Sequence, residues 1–211
     1  MEGTFYEYGT IPPERSEAAP EQGELIKDLQ NGMSIMEILN NNPKFVFRIR
    51  EMEVLRQTIL SEKYSKITRD LTVTYLFGST GTGKTWGIFN KYDPRDICRI
   101  TNYGTKNGIK FDSYYFQGTL VFEEFHSQIP IADMLNYLDK YPLTLPARYS
   151  DRQACYTQVF LTSNAALDEQ YPDIQRNQLE TWCAFNRRIN NVVEFLPDGS
   201  RIVHKGVNPF D

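Results

Sequence analysis

The sequence predicts an α/β fold with a mostly parallel sheet flanked by helices and a small helical bundle ahead of it. Three observations predict this. An apolar run at 71–77 leads into a glycine-rich loop and then an amphipathic segment. Apolar strand patterns and helical patterns alternate from there to residue 189, as they do in chains that build parallel sheets covered on both faces. Between residues 23 and 64 the hydrophobic period is helical throughout.

With 211 residues, 40% hydrophobic and 13% aromatic, the chain can bury one sizeable core and a small appendage. Its net charge of −4 excludes a uniformly basic protein that coats nucleic acid, so any contact with a polyanion must be focal. Cys98, Cys155 and Cys183 are scattered, odd in number and without Cys-x-x-Cys spacing, which fits buried thiols in a reducing compartment. Two histidines, His126 and His204, provide no zinc-ligand cluster. No apolar stretch approaches membrane-spanning length and no signal pattern opens the chain, so the expectation is an intracellular protein with no membrane partner.

Residues 1–22 mix Gly, Pro, acidic and aromatic residues without periodicity and read as a linker or arm, with Phe5, Tyr6 and Tyr8 available for docking. Residues 23–66 divide into three short helices. Leu25, Ile26 and Leu29 belong to the first, which stops at Gly32. Ser34 with Glu37 is a capping box opening the second. Asn42-Pro43 opens the third, whose stripe is Phe45, Ile49, Met52, Leu55 and Ile59. Such a small segment buries little alone, so it either packs on the following domain or on copies of itself, or serves as a plain structural cap.

Residues 67–206 form the main domain, with 207–211 as a tail. Strands are predicted at 71–77, 120–125 and 159–161. Helices are predicted at 84–90, around Ile131, Met134, Leu135 and Leu138, and along Leu179, Trp182, Phe185 and Ile189. Residues 192–195 and 201–204, joined across Pro197-Asp198-Gly199, read as a closing hairpin.

The chemistry begins at residues 78–85. Gly78, Ser79, Thr80, Gly81, Thr82, Gly83, Lys84 and Thr85 match a phosphate-binding loop, in which glycines let backbone amides curl toward the β- and γ-phosphates. Lys84 adds positive charge to those phosphates and the Thr85 hydroxyl ligates Mg²⁺, so the expected cofactors are ATP and Mg²⁺. With strand and helix in place on either side, the fold class becomes a P-loop (AAA+-like) ATPase. Glu123 and Glu124 end the apolar run 120–125. One can hold the Mg²⁺ shell and the other can orient or deprotonate the attacking water, although an acidic strand end is by itself common. Thr162, Ser163 and Asn164 end the run at 159–161. Taken alone they are a turn, but in third place after the other two motifs Asn164 becomes a sensor of the γ-phosphate. Arg187 and Arg188 close the last helix. At about 100° per residue, Arg187 lies nearly opposite its apolar stripe and Arg188 on the flank.

These motifs, in this order, resemble the superfamily 3 helicase domain of replication initiators from circular single-stranded DNA viruses and related bacterial plasmids. The similarity covers most of the chain after Glu24. It is closest along Asp139-Lys140-Tyr141-Pro142-Leu143-Thr144, at Leu161-Thr162-Ser163-Asn164 and at Phe185-Asn186-Arg187-Arg188-Ile189. The resemblance implies an ATP-driven helicase that forms a homo-oligomeric ring, usually a hexamer, on single-stranded DNA, with RNA as the other candidate strand. It implies that residues 23–66 form the oligomerisation collar and that Arg187 or Arg188 reaches a neighbour's γ-phosphate. It also implies a strand-gripping loop at 144–157, where Arg148, Tyr149 and Arg152 can pair phosphates and stack on bases. Two departures stand out: Arg148-Tyr149-Ser150 replaces the family's Lys-Gly-Gly, and Glu123-Glu124 replaces Asp-Asp. Full-length members begin with a nicking domain built on a His-hydrophobe-His site and a tyrosine nucleophile. This chain has no such pair, so nicking is not expected of it and that domain is expected elsewhere in a longer protein.

Two other classes compete. A P-loop small-molecule kinase needs an acceptor pocket and arginines in cis. A nucleotide-dependent assembly module binds without useful turnover.

Overall fold

A computed structural model describes residues 18–211 other than 105–107 and 149, with side-chain surroundings from residue 22 onward. Phe5, Tyr6, Tyr8 and Tyr149 therefore lie outside the described residues. The chain divides into two compact units, one through Ile59 and one from Leu60. No helix among the described residues is long and apolar enough to cross a membrane.

In the first unit, α1 spans Ala18–Gln30 and so begins within the stretch read as linker. It stops as expected at Gly32, whose φ of 86° suits glycine. The Gly32 amide donates to the Leu29 carbonyl and the Met33 amide to that of Asp28, which satisfies the helix end. Helix α2, Ile35–Asn41, opens on the Ser34/Glu37 capping box. The third helix differs from expectation. Pro43–Arg48 is a 3-10 helix, and α3 runs Ile49–Tyr64 only after it. A 3-10 turn advances about 20° more per residue than an α-turn, so Ile49 rotates off the stripe begun by Phe45 and is left partly exposed. Leu29, Ile38, Phe45 and Met52 form the core, while Phe47 is 96% exposed.

The second unit is built on a six-stranded sheet. Its strands are β1 (Thr72–Phe77), β2 (Ile97–Ile100), β3 (Thr119–Phe122), β6 (Gln158–Thr162), β7 (Asn191–Phe195) and β8 (Arg201–Lys205). Their order is β2-β3-β6-β1-β7-β8, parallel throughout except for the antiparallel β7/β8 pair. Both faces are covered, which is why the central strands read as continuous apolar runs. Helix α4 (Lys84–Lys91) covers one face through Ile88, against Leu76, Val121, Phe160 and Val193. Helices α5 (Ile131–Tyr137) and α7 (Leu179–Arg188) cover the other, over Tyr75, Leu120, Phe122 and Leu161. A two-stranded hairpin of β4 (Thr144–Leu145) and β5 (Arg152–Gln153) stands apart, and the short α6 (Pro172–Asn177) precedes α7.

The predicted strand at 120–125 ends at Phe122, because Glu124 takes a φ of 52° and turns the chain out of the sheet. Strand β2, only four residues long and broken in pattern by Arg99, was not expected from sequence. Cys98 and Cys155 are buried as expected, but Cys183 is exposed, on the face of α7 away from Trp182 and Phe185. The last helix stops at Arg188, with Ile189 extended beyond it. Buried Arg69 ties the edge of this unit together by donating to the carbonyls of Asp139 at 2.6 Å and Tyr156 at 3.1 Å.

Candidate nucleotide site

The loop between β1 and α4 curls at three glycines, Gly78, Gly81 and Gly83, with φ of 136°, 84° and 87°. Gly78 answers a second demand. A Cβ there would stand 2.2 Å from the Phe195 carbonyl oxygen, so the loop passes β7 at a distance only glycine permits. Ser79, Thr80 and Gly81 form the exposed crest, and the Thr82 hydroxyl donates to the Ser79 carbonyl at 2.9 Å.

The Lys84 ammonium reaches back over the loop, donating to the carbonyls of Gly78 at 2.6 Å and Ser79 at 2.9 Å and to Asn164 Oδ1 at 3.2 Å. Burial lowers its pKa, opposed by the charges of Glu124 and Glu123, which favour the ammonium form. Asn164 follows β6, the strand hydrogen-bonded beside β1, so parallel register brings the third motif to the lysine of the first.

Glu123 is buried, with 6% of its surface exposed. Its Oε2 accepts from Thr85 Oγ1 at 2.9 Å and Thr162 Oγ1 at 3.2 Å, and its Oε1 from Arg99 Nε at 3.1 Å. Tyr103 donates its hydroxyl to the Glu123 carbonyl, and burial raises that phenol's pKa. Glu124 is exposed, its amide donating to Thr162 Oγ1 at 3.3 Å. The two glutamates thus face different surroundings, one enclosed and paired, the other open beside the lysine. A hydroxyl and a carboxylate meeting at 2.9 Å form a hard-oxygen donor set of the kind Mg²⁺ uses with phosphates.

Arg99, Tyr103 and Thr162 escaped the sequence reading as partners of Glu123. The four-residue run Ile-Cys-Arg-Ile carries no local signal that Arg99 reaches Glu123. Behind the site, Ser163 Oγ lies 3.3 Å from His126 Nδ1, and Gln170 bridges Tyr75, Ser127 and Ser163. Glu124, Ser127 and Tyr171, all non-glycine residues with positive φ, cluster in this region, a concentration of backbone strain typical of functional sites.

The two arginines of α7 stand elsewhere. Arg187, Arg188, Leu71 and Asn190 line one cavity at the N-terminal end of β1, whereas the phosphate loop leaves its C-terminal end. Six residues at about 3.3 Å each separate these ends by roughly 20 Å, so neither arginine meets the Lys84 site of its own chain. Arg188 is held by Asp139 at 2.6 Å, while Arg187 is exposed and makes no ion pair among the described residues. Arg148 and Arg152 belong to the β4/β5 hairpin. The Arg148 guanidinium pairs with Asp112 at 3.6 Å, and that of Arg152 lies 5.4 Å from the ring centre of the exposed Tyr115.

A parallel sheet of this order, with the glycine loop at the C-terminal end of its β1 strand and an acidic strand end beside it, defines the fold as that of a P-loop ATPase. The chain is 26% identical over 215 residues to the replication-associated protein of goose circovirus; the match covers 99% of this chain and 66%, just under two thirds, of that relative's length. No protein-family profile matches it. Among solved structures, the chain resembles S. cerevisiae Hsp104 in complex with ADP (TM-score 0.41, 18% identity, 88% of this chain and 31% of that one). It also resembles the Hsp104:casein complex (TM-score 0.37, 14% identity, 85% and 36%). Such scores add nothing to what the strand order establishes.

Proposed function

We propose that this chain is the ATP-hydrolysing motor of a replication protein, a helicase that assembles as a ring, a hexamer in the leading form, and moves on single-stranded DNA. The observation that carries the reading is the convergence of three strand ends, where Lys84 bonds Asn164 and Thr85 bonds Glu123. In this reading Lys84 and the loop amides bind the β- and γ-phosphates, Thr85 and Glu123 hold Mg²⁺, Glu124 orients the attacking water and Asn164 senses the γ-phosphate. The metal supplies charge neutralisation at the phosphates. Arg187, with no ion pair among the described residues, is the arginine offered to the neighbouring subunit, and Arg188, paired with Asp139, is the structural one. Residues 23–66 serve as the collar, with exposed Phe47 and Val54 as apolar surface for a second copy. Arg148, Tyr149 and Arg152 take the strand, and a nicking domain belongs to a longer protein.

Support comes from the similarity to a circovirus replication-associated protein and from the distance of both arginines from the Lys84 site, which suits action in trans. The test is ATP hydrolysis with and without single-stranded DNA, with RNA as comparison, alongside particle mass in ATP. Stimulation of several-fold in a ring-sized particle is expected. Turnover indifferent to both polynucleotides overturns the motor, and dependence on a small acceptor transfers the site to the kinase class.

A further inference from the structure

We propose that the groove beside the first turn of α4 is the nucleobase subsite of the nucleotide, with Trp86 as its stacking platform. This rests on residues 78–85 being the phosphate cradle. Trp86 directly follows Thr85 and is 65% exposed, whereas Trp182, the other tryptophan, is 9% exposed. It has no ring partner among the described residues. The first hydrogen bond of the turn runs from the Gly87 amide to the Gly83 carbonyl at 2.9 Å. The amides of Lys84, Thr85 and Trp86 therefore have no helical acceptor and face whatever anion sits at the helix end. A phosphate chain received there leaves its nucleoside at the mouth of the groove that Trp86 walls.

The cavity measures about 320 Å³, within the range of small-molecule sites, and is lined by Trp86, Gly87, Asn90, Lys91, Arg201 and Phe210. Its far wall is held by aromatic contacts. The Arg201 guanidinium lies 4.8 Å from the ring centres of both Phe195 and Phe210. Phe210 in turn packs on Phe160 at 6.2 Å and on the bare face of Gly87, where a Cβ would stand 3.5 Å from its ring. An indole face, a pinned guanidinium, an ammonium and an amide suit an aromatic, hydrogen-bonding base attached to phosphates. The nucleobase of ATP and a base of a bound strand share this chemistry. Adjacency to Thr85 assigns the groove to ATP.

The test compares ATP with inorganic tripolyphosphate by calorimetry on the wild type and on Trp86→Ala, Trp86→Phe and Lys84→Ala. Trp86→Ala is expected to weaken ATP about tenfold, the scale of one base stack, while tripolyphosphate affinity and single-stranded DNA affinity stay at wild-type levels. Trp86→Phe recovers most of the loss, and Lys84→Ala weakens both phosphate ligands. Unchanged ATP affinity in Trp86→Ala, with both ligands still lost in Lys84→Ala, overturns the subsite and leaves the cradle standing. Loss of tripolyphosphate or of DNA binding in Trp86→Ala also overturns it. A wild type that binds neither ATP nor tripolyphosphate overturns cradle and subsite together.

Discussion

Thr85 Oγ1 donates to Glu123 Oε2 across 2.9 Å, joining the first turn of α4 to the end of β3. If this pair holds Mg²⁺, Thr85→Ala and Glu123→Gln each raise the Mg²⁺ concentration that half-saturates nucleotide binding by about tenfold, while nucleotide binding in EDTA stays as in the wild type. Titrating Mg²⁺ against a fluorescent ATP analogue measures both quantities.

The enclosed Glu123 and the open Glu124 predict a division of labour. Glu124→Gln keeps nucleotide affinity within about threefold and lowers hydrolysis by roughly 10²–10⁴, the usual contribution of a general base. Lys84→Ala loses affinity itself. Equilibrium binding and single-turnover hydrolysis separate the two. A Glu124→Gln variant that hydrolyses at the wild-type rate removes that residue from the reaction.

Arg99 pairs with the free oxygen of Glu123 and rests over Phe89 at 5.7 Å, so it positions the carboxylate from a neighbouring strand. Arg99→Ala leaves a buried carboxylate without its cation. The expected outcome is a Mg²⁺ requirement raised about as far as in Glu123→Gln, with Arg99→Lys recovering part of it through charge alone. An unchanged Mg²⁺ titration in Arg99→Ala removes Arg99 from the positioning of Glu123.

Gly78→Ala places a methyl group 2.2 Å from the Phe195 carbonyl at a φ of 136°. It is expected to destabilise the fold by about 2–4 kcal/mol. Gly81→Ala meets nothing within 4 Å and costs only the left-handed backbone, about 1–2 kcal/mol. Urea melts of the two variants test the contrast.

Burial pushes the Asp139 carboxyl up, but its bond to Arg188, that residue's charge and the amides of Lys140 and Tyr141 outweigh burial and leave the pKa lowered. A carboxylate lowered on folding contributes stability above its unfolded pKa and loses it as pH falls through the folded value. Asp139→Asn is therefore expected to cost about 0.5–1 kcal/mol at pH 7, since solvent screens a partly exposed pair, with the gap to wild type closing below about pH 4. Thermal melts from pH 7 down to pH 3 measure it.

The glycine loop, the acidic strand end, the Asn164 turn, the capping box and the Gly32 stop were legible because each is a short-range pattern with a local cause. A glycine answers a positive φ, a serine answers an unpaired amide, and an apolar run answers two covered faces. Strand β2 was not legible. Four residues carry too little periodicity to stand out, and Arg99 interrupts them for the sake of Glu123, a partner on another strand.

The sequence by itself therefore determined the class of fold and the types of residue at the candidate site, since both follow from neighbours along the chain. Only the tertiary structure decided which glutamate is enclosed, that Arg99, Tyr103 and Thr162 surround it, that Asp139 claims Arg188 and leaves Arg187 open, and that Trp86 faces a groove closed by Arg201 and Phe210. Those pairings join residues far apart in the chain, and the parallel register that sets Arg99 and Thr162 beside Glu123 exists only once the sheet has formed.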